Sequence, residues 1–415
     1  PPQGVPSCDS LKRSRFALTN RSGRTRRLSI TAYVEWALGP NGTVPAPYVV
    51  TSKDALTGAL FARNTWRAEF GSRTAFADLR GVQTSWTCDR TEFLGRLGSV
   101  DRPAALAHGT PLSGRAGAAM DPCAALQTEI ELAPDAHTEI LFLLGDAASQ
   151  ADAQALVTRY RHADVEAVLR DVEALWDNLC GVVQVRTPDR AMDILLNGWL
   201  SYQTLSCRVW ARTAYYQSSG AFGFRDQLQD VMALCVARPA LVREHLLRCA
   251  AHQFPEGDVQ HWWHPPQDRG VRTHCSDDYL WLPFATCRYV EVTGDRDILD
   301  ATASHVEGRA VAADEESYYD LPVRSPQRES LYHHCVRAIQ RGLSLRGEHG
   351  LPLIGSGDWN HGMNRVGAGG KGESAWLAFF LYDVHMRFSA FARSHDDAGT
   401  ADQCLITAET SLFAI

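Results

Sequence analysis

Apolar residues in the first third of the chain recur at every second position. Between Arg26 and Leu38 (RRLSITAYVEWAL), Leu28, Ile30, Ala32, Val34 and Trp36 fall on one side. That period is the signature of a strand with one buried face. Arg15 to Thr19 runs into the turn Asn20-Arg21-Ser22-Gly23, and Pro40-Asn41-Gly42 is a further turn signal. Leu126 to Leu132 (LQTEIEL) and Thr138 to Leu144 (TEILFLL) flank Ala133-Pro134-Asp135-Ala136, which predicts a hairpin. Short strands with frequent turns predict a β-sandwich over residues 1–150.

From about residue 150 the period changes. Ala151 to Leu179 has helical propensity with one charged side, predicting a helical linker over 151–187. Helices are then expected at Arg190–Arg208, Phe224–Ala237, Pro239–Phe254, Asp278–Val292, Glu329–Leu345 and Glu373–Ala392. Pro239 suits a first turn, and Thr293-Gly294-Asp295 is a good C-terminal stop. Pro283 either kinks its helix or marks the true first turn. Helices at this spacing predict antiparallel pairs, and a ring of them, an α/α-barrel, gathers the loops 210–226, 255–277 and 351–373 at one end.

Composition narrows the class. The 415 residues allow two or three domains, with 45% hydrophobic and 21% charged residues. A formal net charge of −7 without a basic stripe argues against nucleic-acid binding. No apolar run approaches the roughly 20 residues of a membrane span. The start, PPQGVPSCDS, is neither a signal nor a transit peptide. Eleven scattered cysteines without a CxxC pair argue against a disulfide framework and fit a reducing, cytoplasmic compartment.

The densest chemistry lies in Asp258–Pro283, DVQHWWHPPQDRGVRTHCSDDYLWLP. It holds three tryptophans, three histidines, two arginines and four aspartates. Aromatic faces interleaved with carboxylates and guanidinium groups suit a sugar, whereas a core avoids buried charge. Trp262, Trp263, Arg272 and Trp281 are candidate pocket residues. Asp277 and Asp278 precede an apolar run and sit at a helix mouth, where a carboxylate either caps the helix or works on a ligand.

Other clusters add to it. Arg225, Asp226 and Asp230 open a helix after a Gly-Phe-rich approach, with the two aspartates four apart on one face. A surface ion pair is the alternative for Arg225 and Asp226. Asp358, Trp359, Asn360 and His361 lie in a glycine-rich loop that offers stacking and hydrogen bonds, or is a plain connector. Gly367–Gly372 lacks phosphate-loop spacing. His261, His264 and His274 match no standard zinc pattern and read as polar loop histidines, so no metal or organic cofactor is expected.

Several long stretches occur in an order that resembles glycoside hydrolase family 94. They are SSGAFGFRDQLQD at 218–230, EGDVQHWWHPP at 256–266, VRTHCSDDYLWLP at 271–283, and GLPLIGSGDWNHGMNRVG with GKGES at 350–374. LTNRSGRTRRLSITAYVEW at 18–36 is similar to the family's β-sandwich. The likeness is greatest to the phosphorylase-like part of cyclic β-1,2-glucan synthases and to 1,2-β-oligoglucan phosphorylases.

The resemblance implies a multidomain β + α protein: a sandwich, a helical linker and an (α/α)6 barrel, here over 188–394. It implies inverting phosphorolysis of a β-glucosidic bond to α-glucose 1-phosphate, with inorganic phosphate as co-substrate and a β-glucan oligosaccharide as partner. The first aspartate of the S-D-D-x-L-W stretch, Asp277, is the implied general acid. Arg225, Asp230 and Asp226 match positions that hold the reacting glucose, and a homodimer is compatible with the family.

Two departures stand out. His361 replaces an aspartate usual in related sequences. After Ser394 the tail 395–415 shows no likeness, so the barrel reads as incomplete and the chain as a fragment, such as part of a larger inner-membrane synthase, or as the product of a disrupted reading frame. These departures keep two alternatives open. One is a catalytically dead carbohydrate-binding remnant. The other is an inverting hydrolase with Asp358 as second carboxylate.

Overall fold

A computed structural model describes residues 3–4, 9–39, 46–66, 70–210, 220–360 and 362–414. The chain divides into two compact units, Pro1–Asp177 and Asn178–Ile415.

In the first unit the described strands are β1 (Gln3–Gly4), β2 (Leu11–Thr19), β3 (Arg26–Glu35), β4 (Val49–Lys53) and β5 (Leu60–Asn64). They continue with β6 (Thr74–Asp78), β7 (Ser85–Asp89), β8 (Pro122–Leu132) and β9 (His137–Ala147). They form a six-stranded sheet, β1-β2-β9-β6-β5-β4, and a three-stranded sheet, β3-β8-β7. The expected alternation in β3 holds: Ile30, Ala32 and Val34 pack on the inter-sheet core with buried Trp36, while Leu28 stays exposed.

The expected hairpin does not form. β8 pairs with β3 and β7, whereas β9 pairs with β2 and β6. The link 133–136 carries the chain from one sheet to the other, beside the crossover that follows β2. Asn20 ties the two links, its N–H donating to Ala136 O at 3.0 Å and its Nδ2 to Leu132 O at 2.8 Å. A turn signal between two alternating runs specifies a reversal; it does not specify the pairing partner.

Central strands of the larger sheet are apolar on both faces. Leu60 and Ala62 face the inter-sheet core, while Phe61 and Phe76 pack on the opposite face with Leu156, Val157 and Tyr160. Those last residues belong to the helix Gln150–His162, capped by Ser149. The first part of the stretch expected as a linker therefore covers a sheet, and a second helix, Val165–Cys180, follows it.

The second unit is helical with small sheets. Helical residues run from Arg190 to Trp210, interrupted at Asn197 and Gly198. Further helices are Phe224–Met232, Pro239–Ala250, Trp281–Thr293, Leu331–Ser344 and Ala375–Ser394. Pro239 occupies a first-turn position, Pro283 lies in the first turn of its helix, and Gly294 ends that helix at φ 74°. The tail also folds: Ala398–Ala414 is a helix packed on Ala375–Ser394, burying Ala401, Cys404 and Ala408.

Strands β10 (Phe222–Gly223), β11 (Gln260–His264), β12 (Arg269–Thr273), β13 (Thr302–Glu307), β14 (Ser317–Asp320) and β15 (Val323–Ser330) thread between the helices. The stretch expected as a loop over 255–277 thus contains a hairpin, β11 with β12, extended by β10 and β14. Among the described residues no helix is long and apolar enough to cross a membrane.

Candidate active site

Asp277 follows β12 by four residues and directly precedes the short turn into the helix Trp281–Thr293. Its side chain makes no capping bond to that helix. It is fully buried, and each carboxylate oxygen lies 3.0 Å from Arg225 Nη1. Trp281 Nε1 donates to Oδ2 at 3.0 Å, and the Cys275 thiol donates to Oδ1 at 3.3 Å.

Asp278, also buried, sits 2.5 Å from His261 Nδ1 through Oδ2, and its Oδ1 is 4.0 Å from Arg225 Nη1. Two adjacent carboxylates thus face one guanidinium. Burial and then the Asp278 charge push the Asp277 carboxyl up to about 6, against the opposing pull of Arg225. His261 is raised too: burial opposes its protonation, and the Asp278 carboxylate outweighs that cost.

Arg225 arrives from the helix Phe224–Met232. Its Nη1 also donates to the backbone carbonyl of Asp358 at 3.2 Å. The loop carrying Asp358 is docked on the residues before Asp277. Ser276 N donates to Gly357 O at 2.9 Å, and Ser276 Oγ donates to Ile354 O at 3.0 Å. Gly355 is required at this junction: its φ is 61°, and a Cβ there would lie 1.9 Å from His274 O.

The remaining sequence candidates separate by environment. Asp358 is buried; its Oδ1 accepts from Asn360 N and Nδ2, and its Oδ2 from Ser374 Oγ. That carboxylate organises its own loop. Asp230 accepts from Arg208 Nε at 2.7 Å, and burial pushes its carboxyl up. Asp226 keeps a partly exposed carboxylate 3.9 Å from Arg225 Nε.

Trp263 is a core ring, stacked on His252 at 3.8 Å and on Phe222 at 5.5 Å, so it offers no stacking face to a sugar. Trp262 is half-buried beside His264 and Tyr319. Arg272 is buried and its guanidinium is bound to Asp258. Trp359, exposed, begins a series of rings through Trp376 and Phe380 to Trp281 at centroid separations of 6.0, 5.4 and 4.6 Å. His361 lies outside the described residues.

Sequence reasoning did not place His261 and Cys275 at the site, although each contacts one of the two acids. His261 was weighed only together with His264 and His274. Those two turn elsewhere, to Tyr319 Oη at 3.2 Å and Ala312 O at 3.1 Å. A cavity of about 550 Å³ lined by Asp258, Cys275, Ser276, Tyr279, Arg341 and Arg365 adjoins the site without reaching Asp277.

Residues 175–412 match the family model "Glycosyl hydrolase 94 superfamily, catalytic domain", and residues 3–163 match "Glycosyl hydrolase 94, supersandwich domain". The chain belongs to glycoside hydrolase family 94. The family match runs through most of the tail that showed no likeness by motif.

Among family members, the cyclic beta-(1,2)-glucan synthase NdvB of Rhizobium meliloti (strain 1021) is 42% identical over 383 residues. That covers 92% of this chain and 14% of the synthase. The N,N'-diacetylchitobiose phosphorylase of Vibrio furnissii is 26% identical over 348 residues, covering 77% of this chain and 40% of the enzyme. The chain therefore spans less than half of either relative. A bacterial glucoamylase complexed with acarbose shares the fold, with a TM-score of 0.57 at 8% identity, covering 97% of this chain and 54% of that one.

Proposed function

We propose that this chain carries the general acid of an inverting glycoside phosphorylase and acts on β-glucosidic bonds, most specifically those of β-1,2-gluco-oligosaccharides. The observation that carries the reading is the buried Asp277–Asp278 pair facing Arg225, with Asp277 free of any capping bond and its carboxyl pushed up to about 6 by burial and by the Asp278 charge. A carboxyl in that range is partly protonated near neutral pH, as a general acid must be.

In the reaction, a phosphate oxygen attacks the anomeric carbon from the face opposite the leaving group. As the C1–O bond breaks, Asp277 gives its proton to the departing glycosidic oxygen, and α-glucose 1-phosphate forms. Phosphate is already anionic, so no second carboxylate is needed to activate water. The occupied oxygens of Asp358 speak for the same reading over hydrolysis. Asp277 is held by Arg225 and Trp281, so proton delivery requires the Arg225 contact to loosen as saccharide arrives. The ring series from Trp359 to Trp281 suits stacking on sugar faces, and the remainder of an (α/α)6 barrel would complete the enclosure. The β-1,2 linkage rests on the likeness to the glucan synthase.

The test is glucose 1-phosphate formation from sophorose-series oligosaccharides and phosphate. Asp277→Asn should retain saccharide binding and lose about 10²–10⁴-fold in rate. It should recover much of that rate on an activated β-aryl glucoside, whose phenolate departs without a proton. Equal failure on both substrates removes Asp277 as the acid. Saccharide binding by the unaltered chain without turnover would make it a binding module instead.

A further inference from the structure

The contacts of His261 and Cys275 bring a second chemistry to this site. A ring nitrogen of His261, Cys275 Sγ and a carboxylate oxygen of Asp278 lie within 4.8 Å of one another. Imidazole, thiol and carboxylate are three ligand types that zinc accepts together. They come from β11, from the segment after β12, and from the turn into the helix Trp281–Thr293.

The local charge favours a cation. Asp226, Asp277 and Asp278 all lie within 4.0 Å of Arg225 nitrogens, so among the described residues three carboxylates gather on two bases, Arg225 and His261. The surplus is weakly screened because Asp277 and Asp278 are buried. His261 has 25% of its side chain exposed, which provides a way in from solvent.

We propose that His261, Cys275 and Asp278 form a binding site for a thiophilic divalent cation such as Zn²⁺, and that occupying it inhibits catalysis. Tetrahedral zinc bonds of about 2.0–2.3 Å set ligand atoms about 3.3–3.8 Å apart. From a present spread of at most 4.8 Å, the widest separation needs to close by about an ångström, while His261 Nδ1 and Asp278 Oδ2, now 2.5 Å apart, open by a similar amount. As the S–Zn bond forms, the thiol proton leaves to solvent and no oxidation state changes. The ring proton that His261 Nδ1 shares with Asp278 also leaves to solvent, and that nitrogen then turns from the carboxylate to the metal. A fourth position falls to water or to Asp277 Oδ1, which is 3.3 Å from the sulfur. Inhibition rests on Asp277 being the acid: its Oδ1 lies 3.3 Å from the sulfur, so a cation bound there engages the carboxylate that would meet the leaving oxygen.

Co²⁺ is the probe for the site itself. Titrating the metal-free chain should produce a thiolate-to-cobalt charge-transfer band that one equivalent of Zn²⁺ abolishes. Cys275→Ser should lose the band, His261→Gln should weaken Co²⁺ binding at least about 100-fold, and Cys207→Ser, at an exposed cysteine, should keep it. In the unaltered chain, Zn²⁺ should protect Cys275 from alkylation, mapped by mass spectrometry; this reading does not depend on any variant folding. Absence of the band together with unprotected Cys275, or a band that survives Cys275→Ser, overturns the site. With the band present, glucose 1-phosphate formation unaffected by Zn²⁺ overturns the inhibition alone.

Discussion

Arg225 and Arg272 are equally buried, at 2% exposure each, but their surroundings differ in kind. All five N–H donors of Arg272 find acceptors. Nε and Nη2 take the two oxygens of Asp258 at 2.7 and 2.6 Å, and Nη2 also reaches Glu256. Nη1 takes the carbonyls of Gly308 and Arg309, and the Phe254 ring lies 3.6 Å from the guanidinium carbon. That cluster is a clamp whose parts are matched. Around Arg225 and His261, among the described residues, three carboxylates face two bases, and one of the acids is pushed up to about 6. A buried charge surplus costs stability, and a fold keeps it where a movable proton is useful.

Breaking the clamp should have the largest effect on stability. Asp258→Asn leaves Arg272 without its two-point carboxylate and should destabilise the second unit by about 3–5 kcal/mol, read by denaturant unfolding. The same substitution at Asp277 should act in the opposite sense. Because its folded pKa is raised, ionisation penalises the fold. The penalty is absent below the unfolded value of 3.8 and complete above about 6. Asp277→Asn should therefore stabilise by roughly 1–3 kcal/mol at pH 7.5 and by nothing at pH 3.5. Destabilisation at both pH values would make the two clusters alike.

Trp281→Phe sharpens the contrast further. It removes the donor that favours ionised Asp277, so the basic limb of kcat/KM should move up by about one pH unit while the acid itself remains. The smallest effect belongs to a pair outside both clusters. Arg27 and Glu129 lie 3.2 Å apart with most of each side chain in solvent, and Arg27→Ala should change stability by less than about 0.5 kcal/mol.

Much of this molecule was legible because it is local. The strand at Arg26–Glu35, the helix opening at Pro239 and the stop at Gly294 depend on a period of two, on a fixed proline φ and on a glycine in the left-handed region. The motif-rich stretches identified the family and singled out Asp277 and Arg225, because their residue types suit no ordinary core.

Pairing and partnership were not legible. Two alternating runs across a short turn read as a hairpin, yet β8 and β9 lie in different sheets, since both strands offer equivalent backbone edges and only the whole sandwich decides between partners. Polar β15, VRSPQRES, carried no alternation by which to find it. Trp263 and Arg272 read as pocket residues beside Trp262, and the strand's alternation with its sheet contacts turned one into the core and the other into a clamp. The same is true of the carboxylates. Sequence placed Asp277, Asp278 and Asp358 among candidates of one chemical type. The fold spent Asp358 on Asn360 and Ser374, and set the other two against a single guanidinium. A residue's chemistry is written in the chain, but its charge state depends on burial and on neighbours up to 133 positions away, and only tertiary packing assigns those.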